Sequence, residues 1–244
     1  MTLSRDARHL ALPQVGAEGQ RRISEGKVLL IGVGGIGCAA AAYLASSGVG
    51  ELTVCDFDTV DETNLGRQVL YAKGHIGELK ADVAATRLRK INPGIKVTAI
   101  SERLTGTALA EAVSAADVVL DGSDNFPTRF QVNEACVRMS RRLVSGSAIR
   151  FEGQLAVFGP DFSASPCFEC LYVAADESLG SCAGNGVLAP VPGVIGTMMA
   201  VEALKYLAGI GSPAPLLRLF DATASELRRL GISKRGDCPV CEHA

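Results

Sequence analysis

Glycines 32, 34, 35 and 37 follow the apolar run Val28-Leu29-Leu30-Ile31 and precede an Ala-rich stretch, Ala39 to Ala42. A buried strand that turns on glycine into a helix brings backbone close to a phosphate. The helix N-terminus then offers that anion its unpaired N–H groups. Asp56 lies about twenty residues further on, at the end of the next apolar segment, where an acid can grip a ribose hydroxyl. These residues predict a nucleotide site that includes Asp56. The competing reading is a tight turn serving helix–sheet packing alone.

The residues that follow bear on which nucleotide. They are Asp56-Phe57-Asp58-Thr59-Val60, then Thr63-Asn64-Leu65-Gly66-Arg67-Gln68, then Lys80. A dehydrogenase needs a flat apolar slot for nicotinamide and has no use for several cations beside the phosphates. A triphosphate does: Arg67 is a planar fork and Lys80 a point charge for phosphate oxygens. Lys80 falls at the start of a helix expected over 78–91, where backbone donors add to its pull. Against this, single cations in loops are commonly solvated surface charges. Further on, Asp121-Gly122-Ser123-Asp124-Asn125 follows the fourth expected strand, where loops face the ligand crevice of a doubly wound sheet. Asp124 is a candidate to hold Mg²⁺ on a triphosphate. The same Asp-Asn-x-Pro run is N-cap and turn chemistry for a helix starting at Pro127, and spacing does not choose between the two.

Two C-x-x-C pairs, Cys167/Cys170 and Cys238/Cys241, are among eight cysteines. Four thiolates suit tetrahedral Zn²⁺ with no open position, and the metal would clamp the tail back onto the domain. A redox dithiol is the rival for either pair alone. His243 is a further potential ligand or an exposed tail residue. Cys38, Cys55 and Cys136 fall in helix or strand segments and read as small buried hydrophobes. Cys182 sits in an irregular stretch between glycine-rich turns. A loop thiol there becomes a nucleophile only if something lowers its pKa, and no neighbouring cation or histidine is evident.

Positioning these groups requires alternating elements. Strands are expected at 27–32, 51–55, 95–100, 117–120 and 142–147, with helices at 35–47, 78–91, 106–114 and 127–139. This is an α/β, Rossmann-like, mostly parallel sheet with helices on both faces. After residue 150 the rhythm changes to a strand at 153–158, a long irregular segment, a helix at 193–208, and paired strands near 215–221 and 225–230. The expected organisation is an N-terminal arm (1–26), an ATP-binding Rossmann-like region (27–160), and a crossover loop, helix, β extension and zinc-binding tail (161–244). Together they form one structural domain.

At 244 residues, 48% hydrophobic and 20% charged, the chain excludes disorder. A net charge of −2 and the absence of Trp give no footprint for nucleic acid or an anionic membrane. Residues 1–15 carry no apolar secretory core, and the run from Val187 to Ile210 is broken by Pro190, Pro192, Glu202 and Lys205. A cytoplasmic location is expected.

In the order and spacing of its motifs, the chain resembles the ThiF/MoeB/HesA family, bacterial relatives of ubiquitin-activating enzymes. The resemblance runs through Ala7-Arg8-His9-Leu10, Leu12-Pro13, the glycine loop and Asp56 to Val60. It continues through Thr63 to Gln68, Lys80, Asn92-Pro93, Leu120 to Asn125 and both C-x-x-C pairs. It implies an adenylyltransferase that binds Mg-ATP and a ubiquitin-like sulfur carrier protein ending in Gly-Gly. The carrier carboxylate would attack the α-phosphate, for sulfur transfer in molybdopterin or thiamine biosynthesis.

By matching position, Gly35 and Asp56 would hold the nucleotide, and Asn64, Arg67 and Lys80 the phosphates. Asp124 would hold Mg²⁺, and Asp58, Gln68 and Asn125 stand within the same binding segments. Arg8 would complete the ATP site of the other subunit, which implies a homodimer. Cys182 matches a loop cysteine that in some members is joined to the carrier. Asp6 and Gly66 depart from a Tyr and a Gln usual in the family, and no rhodanese domain follows the zinc tail. A separate sulfur donor, a cysteine desulfurase or rhodanese, is therefore expected. The stretch Ser145 to Gln154 looks molybdopterin-type, whereas Glu102 to Gly106 and Arg218 to Asp221 look thiamine-type. The alternative outside this family is an NAD(P)-dependent oxidoreductase using the same glycine loop.

Overall fold

A computed structural model of the chain describes residues 5–173, 186–211 and 215–242. In order, the elements are α1 (Ala7–Leu10), α2 (Gly16–Glu25), β1 (Lys27–Ile31), α3 (Gly35–Ser46), β2 (Glu51–Cys55) and α4 (Lys80–Ile91). Then come β3 (Lys96–Ile100), α5 (Gly106–Ser114), β4 (Val118–Asp121), α6 (Phe126–Arg138), β5 (Arg142–Ile149) and β6 (Glu152–Phe158). The last are α7 (Phe168–Leu171), α8 (Pro190–Leu207), β7 (Leu216–Asp221) and β8 (Glu226–Leu230).

One eight-stranded sheet has the order β3-β2-β1-β4-β5-β6-β7-β8. The first five strands pair in parallel, and β6, β7 and β8 are added antiparallel. Strands buried on both faces need apolar residues at consecutive positions, and β1 shows it. Val28 and Leu30 pack with α3, α4 and α8, while Leu29 and Ile31 face α5 and α6. Strand order reverses between β1 and β4, and their carboxyl ends leave a crevice at that switch point. The glycine loop after β1 and the Asp121–Asn125 loop after β4 both open there.

Two elements differ from the sequence expectation. Residues 16–25, read as part of a polar arm, form the helix α2 with Ile23, Gly19 and Gln20 buried. Its one buried apolar side chain is Ile23, and the opposite surface carries exposed Glu18–Arg21, Glu18–Arg22 and Glu25–Arg21 pairs, so the segment's polar composition masked a helical separation of faces. Helix α8 starts at Pro190, not 193. Its prolines occupy the first turn, where a missing N–H costs no intrahelical bond. The helix crosses α3 closely at Gly196, where a Cβ would strike the Ile36 carbonyl oxygen. Among the described residues, no helix is long and apolar enough to cross a membrane.

Candidate active site

The glycine loop is built by steric exclusion. Gly32 has φ +83°, a backbone conformation that disfavours any side chain, and a Cβ there would meet the Gly122 carbonyl at 3.0 Å. At Gly37 a Cβ would collide with the Gly32 carbonyl oxygen, whereas at Gly34 the nearest atom is Gln68 Nε2 at 3.8 Å. Gly32 and Gly37 therefore shape the turn, and Gly34, the N-cap of α3, keeps the space in front of the helix open. Gly37→Ala is expected to cost roughly 3 kcal/mol or more of stability, as overpacking against backbone does, and Gly34→Ala less than about 1 kcal/mol. Urea denaturation of the two variants checks this. Equal losses would contradict it.

Asp56 immediately follows β2 and is tied to that loop. One carboxylate oxygen accepts from the Val33 N–H at 2.8 Å and the other from the Asp58 N–H at 3.0 Å. Burial pushes this carboxyl above its usual range, against the pull of the two N–H groups and of Lys80. Lys80 opens α4 and donates to the Asp58 carboxylate at 3.0 Å, with only 8% of its side chain exposed. A buried ammonium held by one half-exposed carboxylate is not a solvated surface charge, so that competing reading fails. Arg67 donates to the Thr63 carbonyl at 2.9 Å and has no acidic partner among the described residues. Asn64 is buried and accepts from the Asp61 N–H at 3.1 Å. Buried Gln68 holds its Oε1 without a partner among the described residues.

Beyond β4, the two readings of Asp124-Asn125 separate onto two residues. Asn125 is the N-cap of α6, its side-chain oxygen accepting from the Thr128 N–H at 3.0 Å. Asp124 is exposed, and its carboxylate accepts from the Asn125 amide at 3.3 Å. The cap is thus made without the acid. Residue Asp121 is almost wholly buried, with Oδ1 accepting from the Ser123 N–H at 2.9 Å and Oδ2 unpartnered among the described residues. Burial raises its pKa, and the charge of Arg129 draws it back down.

These residues line one cavity of about 390 Å³, which brings together Gly35, Asp56, Asp58, Asn64, Arg67, Gln68, Lys80, Asp124 and Asn125. Arg8, in exposed α1, does not line it. Cys182 lies outside the described residues, as does His243.

The sequence reading missed several lining groups. Arg103 stacks over the Phe57 ring at 4.0 Å, next to the apolar wall of Leu104 and Leu109. Buried Arg129 donates to the Ser123 carbonyl and to the Gly146 carbonyl at 3.1 Å. A signal for Arg129 existed: it stands one helical turn from Asn125, on the same face of α6. Arg103 has none in local pattern, because only the pairing of β3 with β2 carries its loop to Phe57.

In the core cluster that also holds Leu109 and Val132 of the cavity wall, the Sγ atoms of Cys167, Cys170, Cys238 and Cys241 all lie within 4.8 Å of one another. Cys167–Cys238 and Cys170–Cys241 are 3.6 and 3.5 Å apart and are free thiols, not disulfides. Tetrahedral Zn–S bonds of ~2.3 Å require sulfurs ~3.8 Å apart, so the donor set fits that ion. Convergence of all four sulfurs disfavours two separate dithiols.

The ThiF family model matches residues 7–240. The chain belongs to the ThiF family. Its similarity to curated ThiF-family relatives is nearly end to end. The sulfur carrier protein ThiS adenylyltransferase of Escherichia coli is 44% identical over 237 residues, 97% of this chain and 94% of that protein. The sulfur carrier protein adenylyltransferase of Thermus thermophilus is 43% identical over 98% of this chain and 90% of its own length. The molybdopterin-synthase adenylyltransferase of E. coli is 41% identical over 96% of this chain and 94% of its own. The structure of E. coli MccB with ATP superposes with a TM-score of 0.84 at 24% identity, over 99% of this chain and 75% of that one. That last likeness establishes the fold alone.

Proposed function

We propose that the chain is an adenylyltransferase that activates the C-terminal glycine of a ubiquitin-like sulfur carrier protein with ATP, for thiamine or molybdopterin biosynthesis. The observation that supports this reading is a set of groups suited to phosphate in one cavity: a helix N-terminus, Arg67 with no acidic partner among the described residues, buried Lys80, and Asp124, which is not used in the α6 cap. An NAD(P) site has no use for that many charges. The names of the relatives support the carrier as co-substrate.

In this reading Asp56 holds the ribose, and the unpaired acceptor of Gln68 awaits a donor from the nucleotide. Asn64, Arg67 and Lys80 hold phosphate oxygens. A carboxylate facing the cavity and not spent on the cap fits Mg²⁺, a hard cation that favours oxygen ligands. Bound there, the ion neutralises phosphate charge. A carrier carboxylate oxygen forms a bond to the α-phosphorus, and the bond from that phosphorus to the oxygen bridging the β-phosphate breaks. Carrier acyl-adenylate and pyrophosphate result. The side chains contribute alignment and charge stabilisation, and no acid–base step is needed. Cys182 is assigned a later role, accepting the activated carrier, and a separate protein supplies sulfur. The four cysteines hold Zn²⁺.

Arg8 acts in the partner's site of a homodimer, consistent with its distance from this chain's own cavity lining. Arg8→Ala and Asp124→Ala proteins are then each inactive. Mixed in equal amounts, subunits exchanged, they regain about a quarter of wild-type pyrophosphate exchange, since half the dimers carry one intact site. Recovery of nothing would place Arg8 in its own subunit's site, and an active Arg8→Ala protein would place it outside the mechanism.

A further inference from the structure

Asn133 is the side chain that the nucleotide chemistry does not use and the core does not explain. It lies in the middle of α6 with 0% exposure, among apolar residues on both sides of the helix. Burying an amide in a core costs free energy unless each end is met. Its Oδ1 accepts from the backbone N–H of Phe168 at 2.8 Å. A backbone N–H can be met only by the amide oxygen, so this bond fixes which way the group faces. The Nδ2–H end is then aimed at Cys167 Sγ, 3.6 Å away.

A neutral thiol is a weak acceptor, and a fully buried amide donor gains little from it. A metal-bound thiolate carries charge and accepts well, and charge-assisted bonds are roughly twice as strong as neutral ones. The donor thus makes sense only with the thiolate present. Resting on the reading of the four cysteines as a zinc site, we propose that Asn133 is a positioning residue for the metal. Its amide orients Cys167, fixes the turn at Phe168 through the same group, and stabilises the ligand in its charged form. It also joins the cluster to α6, whose other end is capped by Asn125 at the nucleotide cavity.

Asn133→Asp tests the donor selectively, because it keeps an oxygen for Phe168 while replacing the N–H group facing sulfur. Zinc release from the full-length protein is followed by competition with a chromogenic chelator. The variant is expected to give up zinc at about 10- to 100-fold lower chelator concentration, the range for outer-shell partners of metal ligands. Unfolding is then compared with zinc bound and after stripping. The difference between variant and wild type should be larger with zinc than without. Asn133→Ser, whose hydroxyl is too short to reach the sulfur, should behave alike and decides the matter if the aspartate variant does not fold. Unchanged chelator competition, or the same stability difference with and without metal, would overturn the proposal and leave Asn133 as core architecture. A wild-type protein that holds no zinc would overturn the metal reading itself, and neither result depends on whether the chain adenylates a carrier.

Discussion

Asp124→Ala is expected to lower carrier-dependent ATP–pyrophosphate exchange by about two to three orders of magnitude, the loss typical when a group stabilising transition-state charge is removed. The fold should survive the change. Asp124 is exposed and hydrogen-bonded only to its neighbour's amide among the bonds described, while Asn125 carries the cap of α6. An exposed substitution of that kind stays within about 0.5 kcal/mol of wild type. Asn125→Ala should, unlike Asp124→Ala, lose ~1 kcal/mol of stability with the removed cap, whatever its effect on exchange. Comparing the two neighbours separates chemistry from architecture, which the sequence could not do.

Cys182→Ser serves as the control. Exchange is complete once acyl-adenylate and pyrophosphate have formed, before any thiol acts, so this variant should exchange like wild type. The assay needs a panel of small carriers ending in Gly-Gly. Wild-type-like exchange by Asp124→Ala would remove that residue from the mechanism. Absence of exchange by the wild type with every carrier would sink the adenylation reading.

Much of this architecture is legible in the chain because its strands are buried on both faces. Val28 to Ile31 and Val118 to Leu120 must be consecutive apolar residues, and the helices between them are bounded by Gly48, Gly50 and Asn92-Pro93. The place of Asp56 at the cavity was legible because it directly follows the second strand, beside the glycine loop. Lys80 was legible as a cation, though not as a buried one, since its burial depends on the 57–77 loop folding over it. What stayed hidden depends on contacts between elements far apart in sequence. Arg103 reaches Phe57 only because β3 lies beside β2. The helix α2 hides its single apolar residue behind exposed ion pairs, and those pairs contribute little to its stability. Its burial comes from docking, including the contact of Gly26 with Leu207 of α8.

Cys238→Ser should empty the metal site and release the tail. Among the described residues no strand or helix follows β8, and apart from the cysteines themselves the tail is held by polar and packing contacts. Lys234 donates to the carbonyls of Phe162 and Ser163 at 2.7 and 2.8 Å, Arg235 donates to the Glu169 carbonyl at 3.2 Å, and Ile232 and Val240 pack on the core. Each polar contact is worth about 1 kcal/mol net, too little to order eleven or so residues at roughly 1–2 kcal/mol each. In the zinc reading, the metal makes up the difference. Structural zinc contributes on the order of 10 kcal/mol in small modules, which is enough.

The expected result is about one zinc per chain in the wild type and a small fraction of that in Cys238→Ser. Proteolysis should then cut the variant beyond Leu230 while β1–β5 stay intact, because Phe126, Phe130, Phe168 and Tyr172 pack through ring contacts of their own. Stripping zinc from the wild type should reproduce the same cleavage pattern. An uncleaved tail in both metal-free proteins would mean that packing alone holds it, and the cysteines would then need another explanation.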